Sequence, residues 1–300
     1  MEKLLKLIKS EKGNVLVLVS IAFTGILTMA GLVIDGGNLY VTKSHLQKVA
    51  NAAVLSGAQE LVAESETEVE TIVQAILQYH EEELSLDHLD ILLDDSVTVE
   101  LEKPVPLAFS RLLGMETVNV SAKATARIGA MGRAYGAAPI GIDDSIELEF
   151  GELYQLKVDE EDVDTGNFGI LALEGPGANT YKDNLLNGFQ GELAVGDIVD
   201  TQTGNIAGPT KDAVDILVAG CSSMYERDCS RIILVPVYTP HNHTQNQMKE
   251  VEITGFAYFY IEQYDNSDKT IHGYFIRRAD TGFEDPSASN KGAYSIRLTE

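Results

Sequence analysis

The densest group of candidate metal ligands in the sequence lies at residues 159–167, which read DEEDVDTGN. Alternating carboxylates followed by a glycine turn suit a hard cation, so Asp162 and Asp164 are candidate calcium ligands. The stretch lacks both the D-x-[DN]-x-[DN]-G spacing of a calcium loop and its distal glutamate, which favours a solvated acidic loop. We therefore expect no metal site, with Asp162 and Asp164 kept as a weak calcium candidate.

Histidines and nucleophiles give no stronger site. His241 and His243 would lie on one face of an extended segment, but two imidazoles do not complete a zinc site, and Pro240 indicates a loop. The sequence has no G-x-S-x-G elbow, no H-E-x-x-H helix and no G-K-[ST] phosphate loop. It predicts no catalytic residue, no cofactor and no enzymatic activity.

Cysteine chemistry is limited to Cys221 and Cys229. An even number of cysteines in an oxidising compartment predicts one disulfide, which would close a small loop next to a strand that begins near Arg231. The alternative is two unpaired, buried thiols.

The element that positions the rest of the chain is an uncharged apolar run at residues 15–34. A helix of this length spans roughly 30 Å, the thickness of the hydrocarbon core of a bilayer. Four lysines precede the run (Lys3, Lys6, Lys9, Lys12), which predicts a cytoplasmic N-terminus and an exported remainder. A cleaved secretory signal is the alternative, but the run exceeds a typical signal core and no A-x-A site follows.

Small and weakly polar residues form a stripe within this run: Ser20, Thr24, Thr28 and Gly31. Such a stripe predicts a face on which a second membrane helix packs closely. The alternative is that the hydroxyls bond to carbonyls of their own helix. After Gly36 and Gly37, which we interpret as a possible hinge, small and apolar residues continue at helical spacing for about six turns.

Three blocks in this region have a characteristic order and spacing: KGNV at residues 12–15, GLVIDGGNLY at residues 31–40 and AAVLSGA at residues 52–58. They resemble the TadE/TadG-like proteins of bacterial tight-adherence (Flp) pilus assembly, and the VPLAFSRLLG and VNVSAKATAR segments extend the resemblance over residues 12–130. The resemblance implies a single-pass, pilin-like membrane protein whose partners are other pilin-like or pilus-assembly proteins.

Two departures refine this expectation. Gly13 is followed by Asn14, and Leu18 occupies the fifth position, where processed prepilins resemble one another in having glutamate. We therefore expect no cleavage after Gly13 and retention in the membrane. Some family members have a von Willebrand-type domain, but the nearest string here, at residues 265–269, ends in a lysine and does not fit its metal motif.

The predicted fold class is α+β. A transmembrane helix at residues 15–34 follows a basic segment at 1–14 and continues into a pilin-like α+β domain at 35–130. A mostly β domain, sandwich or barrel-like, follows at 131–300. The α+β domain comprises a helix at 65–83, strands at 96–102 and 117–127, and a two-turn helix at 107–113. A small-residue linker at 129–139 leads to short strands and one helix near 179–187.

The formal net charge of −24 excludes some partners, because such a field repels nucleic-acid phosphates. Our leading hypothesis is a non-catalytic, minor-pilin-like membrane protein of Flp pilus assembly or surface attachment. The alternative is an envelope-anchored adhesion module that binds a ligand with or without calcium. An envelope hydrolase, with a site that only the fold assembles, is the least favoured.

Overall fold

The computed structural model describes residues 11–157, 168–202, 206–241 and 249–299. The weak calcium candidates Asp162 and Asp164 lie outside the described residues, as do His243 and the first three lysines of the N-terminal basic segment.

One helix, α1 (Glu11–Gly57), runs without a break through the apolar segment and the 23 residues beyond it, residues 35–57. Among the described residues, it is the helix long and apolar enough to cross a membrane. Its apolar side chains are exposed from Val15 to Ile34, as expected for a helix whose surroundings are lipid. The predicted continuation of the membrane helix is confirmed, and the helix stays regular across Gly36 and Gly37.

A first sheet has the strand order β1-β2-β3-β15-β12, with two short strands attached to β3. Its neighbours are antiparallel except for β12 and β15. The strands are β1 (Leu86–Leu92), β2 (Ser96–Pro106), β3 (Thr117–Ala134), β12 (Arg278–Asp280) and β15 (Ala293–Leu298), with β7 (Leu193–Ala194) and β13 (Phe283–Glu284) attached.

The second half of α1 and helix α2 (Glu66–Tyr79) pack on this sheet and form one hydrophobic core with it. The α1 face is built from small residues such as Ala50, Ala53 and Gly57. A Cβ at position 57 would lie 2.8 Å from Val73 of α2, so glycine permits the close approach of the two helices. Ser65 caps α2 by accepting a hydrogen bond from the Thr67 amide.

Three local predictions in this part are wrong. The strand predicted at residues 96–102 does not end there: β2 continues through Pro104 and Pro106. Beyond Leu101 it pairs with β3 on one side and no longer with β1 on the other, and an edge of this kind tolerates proline. The two-turn helix predicted at residues 107–113 is a 3-10 helix, Ser110–Leu113. The first half of the linker predicted at residues 129–139 is strand, because β3 continues to Ala134.

A second sheet has the strand order β5-β11-β10-β9-β4-β6, with β8 and β14 attached to β10. Two helices, α3 (Ala178–Asn187) and α4 (Ala207–Ala219), pack on it and share its core. The strands are β4 (Ile140–Asp143), β5 (Leu153–Lys157), β6 (Phe168–Ile170), β8 (Ile198–Asp200), β9 (Ile232–His241), β10 (Glu250–Asp265), β11 (Thr270–Ile276) and β14 (Ser289–Asn290).

The predicted mostly β character of the C-terminal part is confirmed. Residues 251–263, whose aromatic residues at 256 and 258–260 predict a buried central strand, form the central strand β10. Residues 147–150 read ELEF, an alternation that predicts a strand, but no strand forms there. The last strands, β12 and β15, return to the first sheet, so the boundary predicted near residue 130 crosses a continuous strand, β3.

Cys221 and Cys229 lie at disulfide-bonding distance, with their Cα atoms 5.2 Å apart. The bond closes the loop between α4 and β9, next to the predicted strand.

A buried carboxylate, Glu82, connects α1, β2 and the segment after α2 in the part of the chain built around the first sheet. One of its oxygens lies 2.5 Å from Lys103 Nζ of β2 and 3.3 Å from His45 Nε2 of α1, and Ser85 Oγ donates a 2.5 Å hydrogen bond to the other. Burial raises the pKa of Glu82, but the Lys103 and Ser85 hydrogen bonds and the nearby positive charge outweigh it, so its pKa is lower than usual.

Because the folded-state pKa is depressed, Glu82 adds stability above its ordinary pKa of 4.5, and this stability is lost as the pH falls through the lower folded value. We expect Glu82→Gln to lower the melting temperature at neutral pH and to make it less dependent on pH below about 4.5. Thermal unfolding from pH 7 to pH 3 measures both effects. Glu83→Gln, at an exposed neighbour, is the matched control, and equal pH profiles for all three proteins would contradict the assignment.

Candidate functional site at the end of the membrane helix

Asp35 is the first charged residue after the apolar run, and it is almost completely covered, with 5% of its surface exposed. The segment that covers it is the connection between β2 and β3, residues 107–116, which we call the β2–β3 loop. A carboxylate in such surroundings is stable only when its oxygens are hydrogen-bonded. The loop supplies these bonds.

Three consecutive backbone amides of the loop donate to the Asp35 carboxylate. The Ala108 amide lies 2.9 Å from Oδ1, and the Phe109 and Ser110 amides lie 3.0 Å and 2.6 Å from Oδ2. Ser110 Oγ donates a further 2.7 Å bond to Oδ2. We call this group of contacts the Asp35 clamp. It fixes the last turn of the membrane-spanning segment to a loop more than 70 residues later in the chain.

The β2–β3 loop also contacts α1 one helical turn before Asp35, inside the apolar run, where Phe109 covers Gly31. A Cβ at position 31 would lie 2.6 Å from the Phe109 side chain, so the loop can approach only because this residue is glycine. At Gly25, Gly36 and Gly37 an added Cβ would meet nothing within 4 Å. Gly31 is therefore in contact with this chain's own loop.

The rest of the predicted stripe is exposed, and its hydroxyls bond within the helix. Ser20 donates to the Leu16 carbonyl at 2.8 Å, Thr24 to Ser20 at 2.8 Å and Thr28 to Thr24 at 2.9 Å. These bonds are the alternative considered from the sequence. The hydroxyl hydrogens are thus used within the helix, but this face of the helix stays exposed. Its role in packing against a second membrane helix stays a prediction.

Beyond the clamp, polar side chains hold α1 to β3. Lys43 Nζ donates to the Ser121 carbonyl, and Gln47 Nε2 donates to the Lys123 carbonyl at 2.7 Å. With the apolar core behind them, these bonds fix the helix on the far side of Gly36 and Gly37, while the Asp35 clamp fixes it on the near side. The glycine pair is thus held between two attachments.

A second candidate site is a cavity of about 350 Å³ where the two sheets adjoin, between the end of α3, strand β9 and the segment around Asp280 at the end of β12. Among the polar side chains that line it, Asn184 and Tyr258 are 2% and 7% exposed. Within the described part of the chain, neither side chain has a hydrogen-bond partner. Among the described residues, the side-chain polar atoms that are fully buried and have no hydrogen-bond partner are Thr254 Oγ1 and Ser295 Oγ. The polar atoms of Asn184 and Tyr258 are not among them, so these atoms are accessible from the cavity.

The carboxylate that lines this cavity, Asp280, is already paired within the protein. Asp280 is engaged by Arg278, whose guanidinium lies 2.8 Å away, and by the Thr281 amide. Burial raises the pKa of Tyr258, which keeps the hydroxyl neutral. No group of three or more histidine, cysteine, aspartate or glutamate residues suited to a metal occurs among the residues that the structure describes.

Sequence reasoning found Asp35 only as the end of the apolar run and missed its partner. The signal available was a single acidic residue directly after a membrane span, where an unpaired carboxylate is costly. Asn184 and Tyr258 gave no signal in the sequence.

Comparison with known families identifies one region. Residues 13–60 match a family described as "Putative Flp pilus-assembly TadE/G-like". The match contains both Gly31 and Asp35, and it confirms the resemblance for the N-terminal region, while residues 61–130 lie outside it. No curated protein and no solved structure matches the chain.

Asp35→Asn should release the β2–β3 loop, because an amide has one acceptor oxygen and no charge in place of two charged acceptors. We expect amide hydrogen exchange at residues 108–110 to accelerate by roughly tenfold or more, with the strands little affected. Asp90→Asn, at an exposed position of β1, is the control. Unchanged protection of the three amides in Asp35→Asn would show that the clamp does not hold the loop.

Proposed function

We propose, from the premise that residues 13–60 belong to the TadE/TadG-like family, that this chain is a non-catalytic, minor-pilin-like membrane protein of Flp pilus assembly or surface attachment. The N-terminus would lie in the cytoplasm and the two-sheet part would be exported. The family match together with the long apolar helix fits a Flp pilus-associated membrane protein. The finer role depends on how the helix and the exported part are joined.

The observation that carries the proposal is the Asp35 clamp. A simple tether needs no defined orientation between the membrane helix and its exported part. Here a buried carboxylate and a glycine inside the apolar run fix that orientation, and both lie within the family match. A fixed orientation suits a protein whose helix and exported part must both contact neighbours in an assembly.

The face available for a partner helix is the exposed stripe Ser20, Thr24 and Thr28. Gly31 is not available, because the Phe109 side chain packs against it. Small side chains there allow two helix backbones to approach closely. Because the hydroxyls bond to their own helix, association on this face would rest on packing more than on hydrogen bonds between helices.

A photo-crosslinking residue at Thr24 tests this proposal in native membranes, with the same residue at Ile26, on the opposite face of the helix, as the matched control. We expect Thr24 to capture a pilin-like or pilus-assembly membrane protein, identified by mass spectrometry, and Ile26 to capture much less. Equal capture from both positions, or a Thr24 product that contains no such protein, would contradict the proposal.

A second candidate function, ligand binding by an envelope-anchored adhesion module, is favoured by the cavity around Asn184 and Tyr258. Unpaired polar groups in a mainly apolar cavity of this size are typical of a small-molecule site. Because Asp280 is already paired and the chain is strongly acidic, the ligand that fits is neutral, with an amide or hydroxyl group for Asn184 and an apolar part for the leucines and isoleucines of the lining.

Saturation-transfer NMR of the full chain in nanodiscs tests this second function with N-acetylglucosamine, glucose and acetate as probes. We expect transfer to the neutral acetamido sugar, strongest at its methyl group, and loss of transfer in Asn184→Leu. A melting temperature in Asn184→Leu close to that of the parent would show that the loss is not unfolding. No transfer to any probe, or transfer that Asn184→Leu leaves unchanged, would rule the cavity out as the binding site.

A further inference from the structure

The β2–β3 loop lies beside a part of α1 that is itself within the apolar run. Phe109 covers Gly31, which lies about 5 Å, at 1.5 Å per residue, inside the end of that run at Ile34. On the uncovered sides of the helix, Val33 and Ile34 are 74% and 55% exposed. If lipid surrounds these two side chains, the loop at the same level cannot be in bulk water.

The loop and the first residues of β3 also expose apolar side chains. Phe109 is 42% exposed and Met115 is 50% exposed, and Val118, just beyond the loop in β3, is 37% exposed. Of these, Phe109 lies directly against the apolar run, at Gly31.

We propose that the β2–β3 loop is a second membrane contact, whose tip inserts into the interfacial region of the phospholipid leaflet from which α1 emerges. The inference rests on the membrane anchor of the proposed function. It adds a surface to that anchor: the bilayer is contacted by the helix and by a loop 73 residues later in the chain that the helix holds against itself.

Backbone hydrogen bonding in the loop suits this location, because unpaired backbone groups are costly in lipid. The amides of residues 108, 109 and 110 donate to Asp35. The Leu107 amide donates to Glu116, the Gly114 amide to Arg111 and the Met115 amide to Ser110, all to carbonyls within the loop. Six of its amides are therefore bonded without water.

The charge distribution also suits a phospholipid surface. The β2–β3 loop has two charged residues, Arg111 and Glu116. Glu116 is the last residue of the loop, next to β3, so Arg111 is the one charged residue from Leu107 to Met115. A long arginine side chain at this level can extend its guanidinium to lipid phosphates while its methylene groups stay in apolar surroundings.

Tryptophan fluorescence tests the proposal, because the natural chain contains no tryptophan and each variant therefore has a single fluorophore. Phe109→Trp and Met115→Trp report on the loop. Phe23→Trp, in the middle of the apolar run, reports on the anchor. Tyr225→Trp is the distal control: Tyr225 is 89% exposed and near Arg227, which pairs with Glu60 beyond the far end of α1, roughly 35 Å along the helix axis from Asp35.

The full-length variants are placed in nanodiscs of phosphatidylcholine with and without bromine on the acyl chains. We expect brominated lipid to quench Phe23→Trp, Phe109→Trp and Met115→Trp, with blue-shifted emission from all three, and to leave Tyr225→Trp unchanged. Melting curves matched to the parent show that the loop variants are folded, and two loop positions guard against a local defect in one.

The outcomes separate the inference from the anchor. Quenching of Phe23→Trp without quenching at either loop position would overturn the inference and leave the anchor standing. An unquenched Phe23→Trp would overturn the anchor, and the loop contact with it.

Discussion

The contact of one carboxylate with three backbone amides decides how the long apolar helix and the two-sheet part of this chain are joined. Asp35 could remain ionised in water at no cost, but under the β2–β3 loop it needs hydrogen-bond donors. Ala108, Phe109 and Ser110 provide them in sequence, and the Ser110 hydroxyl adds a fourth. The 3-10 turn that follows, Ser110–Leu113, begins where the clamp ends.

The clamp helps to keep the helix straight at the glycine pair beside it, Gly36 and Gly37. Gly36 and Gly37 lower the helix propensity by roughly 1 kcal/mol each relative to alanine, so an unsupported helix would bend most easily there. The helix is instead unbroken across them. Asp35 binds the loop on one side of the pair, and Lys43 and Gln47 bind β3 on the other, so bending at the pair would have to break one attachment. Since the loop connects β2 to β3, both attachments lead to the same sheet.

Features encoded locally could be predicted from the sequence. The apolar run, the continuation of its helix, the buried strand β10 and the pairing of the two cysteines each depend on composition or spacing within a short segment. The family resemblance likewise rested on three blocks within 50 residues, the region where the match was found. In each case the residues that create the pattern also form the structure.

Features that depend on a distant partner could not be predicted. Gly129 and Gly132 were interpreted as a linker, but a Cβ at either position would collide with Glu284 or Asp285, so they mark a close approach of the β13 region to a continuous strand. Helix α4 was missed, and its first turn contains Gly208 and Pro209, residues that usually indicate a turn. Asn184 and Tyr258 line the same cavity only because α3 and β10 both border it.

Whether the Asp35 clamp keeps the helix from bending at Gly36 and Gly37 is measured directly by the distance between spin labels on the two sides of the pair. Leu27, in the apolar run, and Leu84, fully accessible near the end of α2, are suitable label positions. We expect one narrow distance distribution for the parent protein in nanodiscs and a broad one for Asp35→Asn. The distribution should become narrow again when Gly36→Ala and Gly37→Ala stiffen the helix of that variant. A narrow distribution in Asp35→Asn alone would contradict this role of the clamp.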